Sequence, residues 1–322
     1  FARAKGIMIS RIDISVIIPA YNAGNTISKL IDSLILESEV SIEVIIVNDG
    51  STDNTGNILS QYTDDRLIII DQHNQGLSAA RNAGLAVHRG RWVVFLDADD
   101  DIEPGALAAR YRLAEHHDID LLICNGKRLD SHGNFRNYIH HRQRYNRVIN
   151  GFQWIKHCVN QREWPHYVWL QLIKSSYITE NNFSYRQLWS HEDICWTMNL
   201  SLANGRVFIS DVADYSYIIN DMSITHRSDY YEIRAASYID IIAWIQQQSR
   251  HNRYSSVSRH LKRHALREAR HFFGLLKRKV TERKKLQIAF QQQVSFSSLL
   301  HGVSSLSDMV FLLKLYLKLK RG

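Results

Sequence analysis

Short apolar runs alternate with helical patterns along the first part of the chain. Each run has the length of a strand, and the runs lie at 15–19, 42–47, 67–70 and 92–96. Helical patterns of about ten to fifteen residues separate them, which is typical of βαβ units with parallel strands. Because the runs show little polar alternation, we expect helices on both faces of the sheet. The sequence therefore predicts an α/β fold, with a Rossmann-like, mostly parallel central sheet flanked by helices.

The run at 92–96 ends abruptly in four acids. In open α/β sheets, ligands bind beyond the carboxyl ends of the strands, so these acids are expected at the mouth of a cleft. Crowded carboxylates repel one another, and a divalent cation such as Mg²⁺ or Mn²⁺ best explains them, held by one or two carboxylates plus phosphate oxygens. We predict ligand binding for Asp97 and Asp99. For Asp100 and Asp101 we predict a cap on the next helix.

The loops that follow the other strands carry side chains suited to a nucleotide. Tyr21 can lie beside a flat base, Asp49 can accept a base N–H, and Arg81 can meet pyrophosphate or the base edge. Gly76 permits close approach of the backbone. Each of these residues also has an ordinary structural role, but their convergence at one edge of one sheet favours a binding site.

Four ordered motifs carry a family resemblance. The segments 15–22, 47–53, 76–84 and 95–100 resemble the successive motifs of family 2 glycosyltransferases, which are inverting enzymes of GT-A fold. The resemblance is close over roughly the first 110 residues and looser to about 225. It implies a nucleotide-diphosphate sugar donor, with a UDP-sugar favoured, and Mn²⁺ or Mg²⁺ as cofactor. The donor-binding residues it implies are Pro19, Tyr21, Asn22, Asp49, Gly76, Arg81, Asp97, Ala98 and Asp99, of which Asp99 binds the metal.

A second acidic pair, Glu192 and Asp193, opens a later helix. Taken alone, the pair is typical of acids that interact favourably with the helix dipole at a helix N-terminus. The resemblance implies instead that Asp193 is the catalytic base, and that Glu192 orients the acceptor or a neighbour. Aromatic faces such as those of Trp169 and Trp189 can stack on the acceptor sugar. The polar loop at 221–227 lies further along the chain. There the resemblance points to two more candidates, His226 as a metal ligand and Arg227 as a contact to pyrophosphate.

The last part of the chain is helical and basic. Apolar residues recur at three and four positions in 230–248, 257–280 and 299–319. From His251 onward the chain has sixteen Lys and Arg against three acids, a net charge of +13, so residues 1–250 carry −5 of the total +8. Two alternatives remain open. The helices bind an anionic membrane surface, or their apolar faces pack on the catalytic domain or form an oligomer interface.

These patterns give a domain prediction. We expect a GT-A catalytic domain over 1–228, with a nucleotide-sugar half at about 8–125 and an acceptor half at 126–228, followed by a helical extension over 229–322. The three cysteines, Cys124, Cys158 and Cys195, have no C-x-x-C spacing, so we predict neither a disulfide framework nor a zinc site. With no secretory or spanning segment in view, we expect a cytoplasmic protein, with peripheral attachment to the inner face of the membrane left open.

The predicted function is metal-dependent, inverting sugar transfer to a glycan or lipid-linked acceptor during synthesis of a bacterial surface polysaccharide. One alternative is a phosphatase with an Asp-x-Asp nucleophile, although its motif needs Thr or Val where Asp101 stands. Another is a non-catalytic scaffold that binds membrane or nucleic acid. No nucleic-acid motif is recognised, so that partner is not expected. No G-x-G-x-x-G follows the first strand, which argues against a dehydrogenase.

Overall fold

The computed structural model describes residues 11–188, 190–218 and 229–320. The first half contains β1 (Ile14–Ala20), α1 (Ile27–Ile35), β2 (Ile42–Asp49), α2 (Thr55–Leu59), β3 (Leu67–Gln72), α3 (Leu77–Val87), β4 (Trp92–Phe95), α4 (Ala106–His117) and β5 (Leu121–Leu129). The second half contains β6 (Phe135–Tyr138), β7 (Val148–Asn150), α5 (Gly151–Gln161), β8 (Gln171–Lys174), α6 (Ser175–Glu180), α7 (Glu192–Leu202), β9 (Arg206–Ile218), α8 (Tyr230–Gln248), α9 (Ser258–Arg278), α10 (Arg283–Gln293), α11 (Phe296–Leu300) and α12 (Leu306–Lys320).

The strands of the described residues form one sheet in the order β3-β2-β1-β4-β8-β5-β9-β7, with β6 paired to β5. The first four strands are parallel, and Ile14 pairs with both Ile42 and Trp92. This common register brings the loops after these strands to one edge. Beyond β4 the sheet is mixed, because β8 runs antiparallel to both β4 and β5 whereas β9 is parallel to β5. The predicted α/β class with a GT-A-like central sheet is confirmed.

The parallel half is held by apolar strands that helices cover. Every residue of β1 and β2 is buried, as expected for strands rich in Ile and Val. Helix α3 packs against β1 through Gly84, where an added Cβ would lie 2.4 Å from Cγ2 of Ile17. The absence of a side chain at this position lets the helix approach the sheet, which places the residues at the start of α3 over the strand ends.

The second half differs from the sequence prediction in three places. The polar composition of 126–150 indicates a surface excursion, but this stretch continues β5 and adds β6 and β7 to the sheet. The sequence pattern also indicates two short strands at 206–209 and 214–219, but the structure has one strand, β9, whose pairing with β5 is interrupted by register shifts. These irregularities explain why the alternation of the sequence breaks there.

The helix predicted at 299–319 is also divided, because α11 ends at Leu300 and α12 begins at Leu306. An added Cβ at Gly302, between these two helices, would lie 2.4 Å from the carbonyl oxygen of Lys262. The chain therefore passes directly over α9 at this point.

The C-terminal helices pack on the part of the chain that contains the sheet. Helices α8 and α9 share a buried apolar cluster with α5 and α7, to which Val159, Ile194, Ile242 and Phe272 contribute. The packing alternative therefore describes α8 and α9, whereas α12 keeps an exposed apolar face. No described helix is long and apolar enough to cross a bilayer.

Candidate active site

The loop after β4 is closed by hydrogen bonds among its own acids. The N–H of Asp97 donates to Oδ2 of Asp100 at 2.7 Å, and the N–H of Asp100 donates to the carbonyl of Asp97 at 2.9 Å. The hydroxyl of Tyr215 in β9 also donates to Asp100. The predicted helix cap is wrong for both Asp100 and Asp101, because Gly105 caps α4 and Asp101 pairs with Lys29 at the surface.

Asp99 is the carboxylate of this loop that stays free. It is exposed, and no described residue lies within hydrogen-bond or ion-pair distance of it. The surrounding protein partly desolvates it, and this desolvation together with the neighbouring Asp97 carboxylate raises the pKa of Asp99. A cation would relieve both effects, because it supplies the opposite charge that the described protein does not.

Arg81 links the loop after β4 to the start of α7. Its buried guanidinium donates to Oδ1 of Asp97 at 2.8 Å and to Oε1 of Glu192 at 2.5 Å. The Tyr185 ring lies 5.2 Å from the guanidinium carbon. The structure thus places Arg81 as a bridge between two acids of the site, and its predicted contact with the nucleotide stays a prediction. Glu192 is buried, and desolvation raises its pKa despite the opposing charge of Arg81.

Asp193 stands at the start of α7 and faces a cleft. Its side chain is 21% exposed, and Oδ2 lies 3.9 Å from Nε2 of His166. Burial raises the pKa of Asp193, although the nearby His166 and Arg81 oppose the shift. Nδ1 of His166 is 2.8 Å from the carbonyl oxygen of Trp164, which fixes the orientation of the ring and turns Nε2 towards Asp193.

The cleft has a volume of about 660 Å³ and two different walls. The part of the chain that contains the sheet contributes Asp97, Trp169 and Asp193, and helices α8 and α9 contribute Arg234 and Glu268, among others. The C-terminal helices are therefore part of the site rather than an appendage to it. Sequence reasoning missed this wall, and it also missed His166, three residues before Trp169.

Glu268 and His264 form a buried polar pair in this wall. The carboxyl oxygen Oε1 of Glu268 lies 3.5 Å from Nε2 of His264, one helical turn away on α9. Burial raises the pKa of Glu268 to about 7 and lowers that of His264 to about 3. Both shifts favour a neutral pair over an ion pair. The sequence does contain a signal for this pair, namely a His and a Glu four residues apart on the apolar face of an amphipathic helix.

The predicted nucleotide residues gather at the edge where β1, β2 and β3 end. Tyr21 is 52% exposed. Asn22, at φ +52, accepts a 2.8 Å hydrogen bond from the N–H of Thr52 and so ties two loops together. The carboxylate of Asp49 accepts from the N–H groups of Gln75 and Gly76 at 2.9 and 2.8 Å, which fixes the turn into α3.

Several predicted residues act through the backbone or lie elsewhere. Gly76 adopts φ +86, a conformation that an L side chain rarely takes. Pro19 and Ala98 are buried beside the strand ends. Two predicted residues, Trp189 and His226, lie outside the described residues, as does Arg227.

Trp169 lies in the wall of the cleft as part of an aromatic stack. Its ring centroid is 3.9 Å from that of Tyr215 and 6.0 Å from that of Tyr217. Its side chain is buried, and its carbonyl oxygen accepts a 2.8 Å hydrogen bond from Arg110. Trp169 therefore presents at most a ring edge to a ligand.

The acids of the site suit a cation that is shared with a ligand. Within the described residues, no group of three or more His, Cys, Asp or Glu side chains converges to hold an ion. Mg²⁺ and Mn²⁺ sites in nucleotide enzymes commonly use one or two carboxylates, with phosphate oxygens and water completing the shell. The unpartnered Asp99 beside Asp97 fits that donor set.

Comparison with known proteins agrees with this geometry. The profile of glycosyl transferase family 2 matches residues 15–171. The uncharacterized glycosyltransferase YibD of Escherichia coli (strain K12) is 32% identical over 220 residues, which is 66% of this chain and 64% of that protein. The chain therefore spans somewhat less than two thirds of that relative.

Solved structures show a similar fold. Residues 1–349 of S. aureus TarS, in complex with UDP-GlcNAc, superpose with a TM-score of 0.66 at 21% identity, over 89% of this chain and 83% of that one. The mannosyltransferase PcManGT from Pyrobaculum calidifontis, in complex with GDP-Man and Mn²⁺, gives a TM-score of 0.56 at 15% identity, over 95% and 80%. At these identities the likeness concerns the fold alone.

Proposed function

Because the chain belongs to glycosyl transferase family 2, we propose that it transfers a sugar, with inversion, from a nucleotide-diphosphate sugar to a hydroxyl of a glycan or lipid-linked acceptor. A UDP-sugar is the favoured donor, and the S. aureus neighbour that was solved with UDP-GlcNAc supports this choice. The observation that carries the proposal is that acids from two distant parts of the chain meet at one cleft. Asp97 and Asp193 both line it, and the unpartnered Asp99 follows Asp97 by two residues at the strand end.

The donor side rests on the loop after β4. Asp99 would hold Mn²⁺ or Mg²⁺, with Asp97 close enough to reach the ribose or a metal-bound water. The bound cation would neutralise the charge that develops on the diphosphate leaving group. Arg81 holds Asp97 in place and keeps it from turning away from the donor. Tyr21 and Asp49 would bind the base at the neighbouring strand ends.

The acceptor side rests on Asp193. Its carboxylate accepts the proton of the acceptor hydroxyl as that oxygen attacks the anomeric carbon. The bond from the anomeric carbon to the diphosphate oxygen breaks on the opposite side, and the diphosphate leaves with the bonding electrons. A single displacement therefore inverts the configuration. His166 orients Asp193 and stabilises its ionised form before the proton arrives.

We further propose that the enzyme works at the cytoplasmic face of a membrane during synthesis of a surface polysaccharide. Helix α12 exposes Leu306, Met309, Leu313 and Leu317 along one face, next to Lys314 and Lys318. An apolar stripe flanked by basic residues suits the interface of an anionic leaflet.

The proposed activity is tested by incubating the protein with a panel of nucleotide sugars and measuring release of the nucleotide with Mn²⁺ and with EDTA. We expect slow hydrolysis of one donor, a UDP-sugar first among them, in Mn²⁺ and none in EDTA. The phosphatase alternative predicts phosphate release from a simple phosphomonoester instead. Hydrolysis of a phosphomonoester without turnover of any nucleotide sugar would contradict the proposal.

A further inference from the structure

A second groove adjoins the cleft. It has a volume of about 640 Å³ and lies among α8, α9 and α12. Arg234, Tyr238 and His271 line both spaces. A ligand that reaches Asp193 through the cleft can therefore extend into the groove without leaving the protein surface.

The groove is strongly basic, and most of its charge is unpaired. Six Lys and Arg line it, and no acid does. Arg270 pairs with Asp308 at 2.7 Å. In the described part of the chain, no carboxylate lies within 4 Å of four exposed cations, and these are Lys277, Arg278, Lys279 and Lys314. Such a concentration of like charge in one groove is costly unless an anion binds there.

Arg234 stands at the junction of the two spaces in a fixed position. Its guanidinium carbon lies 6.0 Å from the ring centroid of Tyr230 and 5.9 Å from that of Tyr238. Its Nε is buried and has no hydrogen-bond partner among the described residues. An arginine that two rings hold in place and that lines both spaces is suited to binding a phosphate oxygen.

The far end of the groove meets the exposed face of α12. Val310, Phe311 and Lys314 line the groove. Met309, Val310, Leu313 and Leu317, at helical spacing, are 42–59% exposed. An anion in the groove that carries an apolar chain would therefore find a continuous apolar surface leading away from the site.

We propose that the acceptor is a lipid-linked sugar diphosphate. Its sugar occupies the cleft beside Asp193, its diphosphate lies in the basic groove between Arg234 and Lys314, and its lipid chain leaves over α12. The inference rests on the proposed sugar transfer, and it assigns the substrate class. A diphosphate matches several unpaired cations, and the volume of the groove exceeds what one phosphate needs.

The test measures binding directly, with the full chain in EDTA and farnesyl diphosphate or inorganic pyrophosphate as the probe in calorimetry. We expect the wild-type protein to bind both probes, and farnesyl diphosphate more tightly. The variant Lys277→Glu/Lys314→Glu should weaken binding of both at least about tenfold, because two cations that would contact the diphosphate become anions. The charge-matched control Arg250→Glu/Arg253→Glu, at the other end of α8, should bind within about twofold of wild type.

Two outcomes would overturn the inference. One is unchanged probe affinity in the groove variant, and the other is an equal loss of affinity in the control, which would indicate only the net charge. If the groove variant keeps its probe affinity but no longer binds phosphatidylglycerol vesicles, the groove is assigned to membrane headgroups. UDP binding with Mn²⁺ is measured on every variant. If the wild-type protein binds no UDP, the proposed function is contradicted. The binding of farnesyl diphosphate and pyrophosphate still tests the groove on its own.

Discussion

At the scale of single residues, two acids that adjoin in sequence have different environments. Glu192 is buried and paired with Arg81, whereas Asp193 lines the cleft beside His166. The adjacent positions on α7 direct one carboxylate to the interior and the other to the cleft. The pair is therefore divided into a residue that holds the site together and a residue that is free to take a proton.

The first prediction concerns the proton acceptor. Asp193→Asn removes the base but keeps the shape of the side chain, so turnover should fall by roughly 10²–10⁴-fold while the donor binds almost normally. Steady-state kinetics with an authentic acceptor, together with UDP calorimetry, separates the two effects. Asp211→Asn on the exposed part of β9 is the control and should behave as wild type. Near-normal turnover of the Asp193→Asn variant would rule out this base.

The pH dependence of turnover follows from the same group. Burial raises the pKa of Asp193, and the carboxyl must be ionised to accept a proton. The rate should therefore fall as the pH drops through that raised pKa, which lies above the usual range of an aspartate. A profile that stays flat down to the ordinary pKa of an exposed aspartate would contradict this assignment.

At the scale of elements, α9 carries a buried acid whose cost to the fold depends on pH. The pKa of Glu268 is raised to about 7, above its value of 4.5 in a solvated chain. Between these values the folded protein keeps a proton that the unfolded chain has lost. The resulting stability is fully present below about pH 4.5 and is lost as the pH rises through about 7.

Glu268→Gln should remove that loss because an amide does not ionise. The difference in free energy of unfolding, variant minus wild type, should therefore grow by on the order of 2 kcal/mol from pH 5 to pH 8. Urea unfolding at both pH values measures the change. The same neighbours, His264, His271, Arg267 and Asp193, face this space in both proteins, so the difference between the two curves reports the loss of the Glu268 carboxyl. The exposed Glu282→Gln serves as control and should leave the difference near zero.

Helix α4 and strand β9 are joined by a buried ion pair. The fully buried guanidinium of Arg110 donates two hydrogen bonds to Asp214, at 2.7 and 2.8 Å. Asp214→Asn leaves that charge uncompensated, so the free energy of unfolding should fall by about 3–5 kcal/mol. The exposed pair of Asp118 with Lys174 gives the control, and Asp118→Asn should cost under about 1 kcal/mol. If urea unfolding gave both variants the same loss of unfolding free energy, the buried pair would contribute no more to stability than the pair of Asp118 with Lys174.

At the scale of the whole molecule, the sequence predicts the parallel half of the sheet much better than the cleft. Apolar strands, glycine turns and the acids after β4 are local signals, and the common register of parallel strands brings them together. The helical wall of the cleft depends on packing between distant segments, and no local pattern reports that Glu268 of α9 faces the same cleft as Asp193 of α7. The helix cap predicted for Asp100 failed for the same reason, since Tyr215 comes from β9.

The domain boundary near 228 stays a prediction. The cleft is lined by residues from both sides of that position. The C-terminal helices therefore belong to the site, and we expect removal of α9 to eliminate acceptor use along with part of the core.

The most direct test of the proposed sugar transfer is calorimetry of UDP binding in the presence and absence of Mn²⁺. We predict that the wild-type protein binds UDP with Mn²⁺ and only weakly without it, and that Asp99→Ala abolishes the metal-dependent part while the fold stays intact. The matched control is Asp101→Ala. The carboxylate of Asp101 pairs with Lys29 at the surface, so its removal should leave UDP binding with Mn²⁺ unchanged. If Asp99→Ala binds UDP with Mn²⁺ as tightly as the wild-type protein does, Asp99 is not the metal ligand and the proposed donor site is wrong.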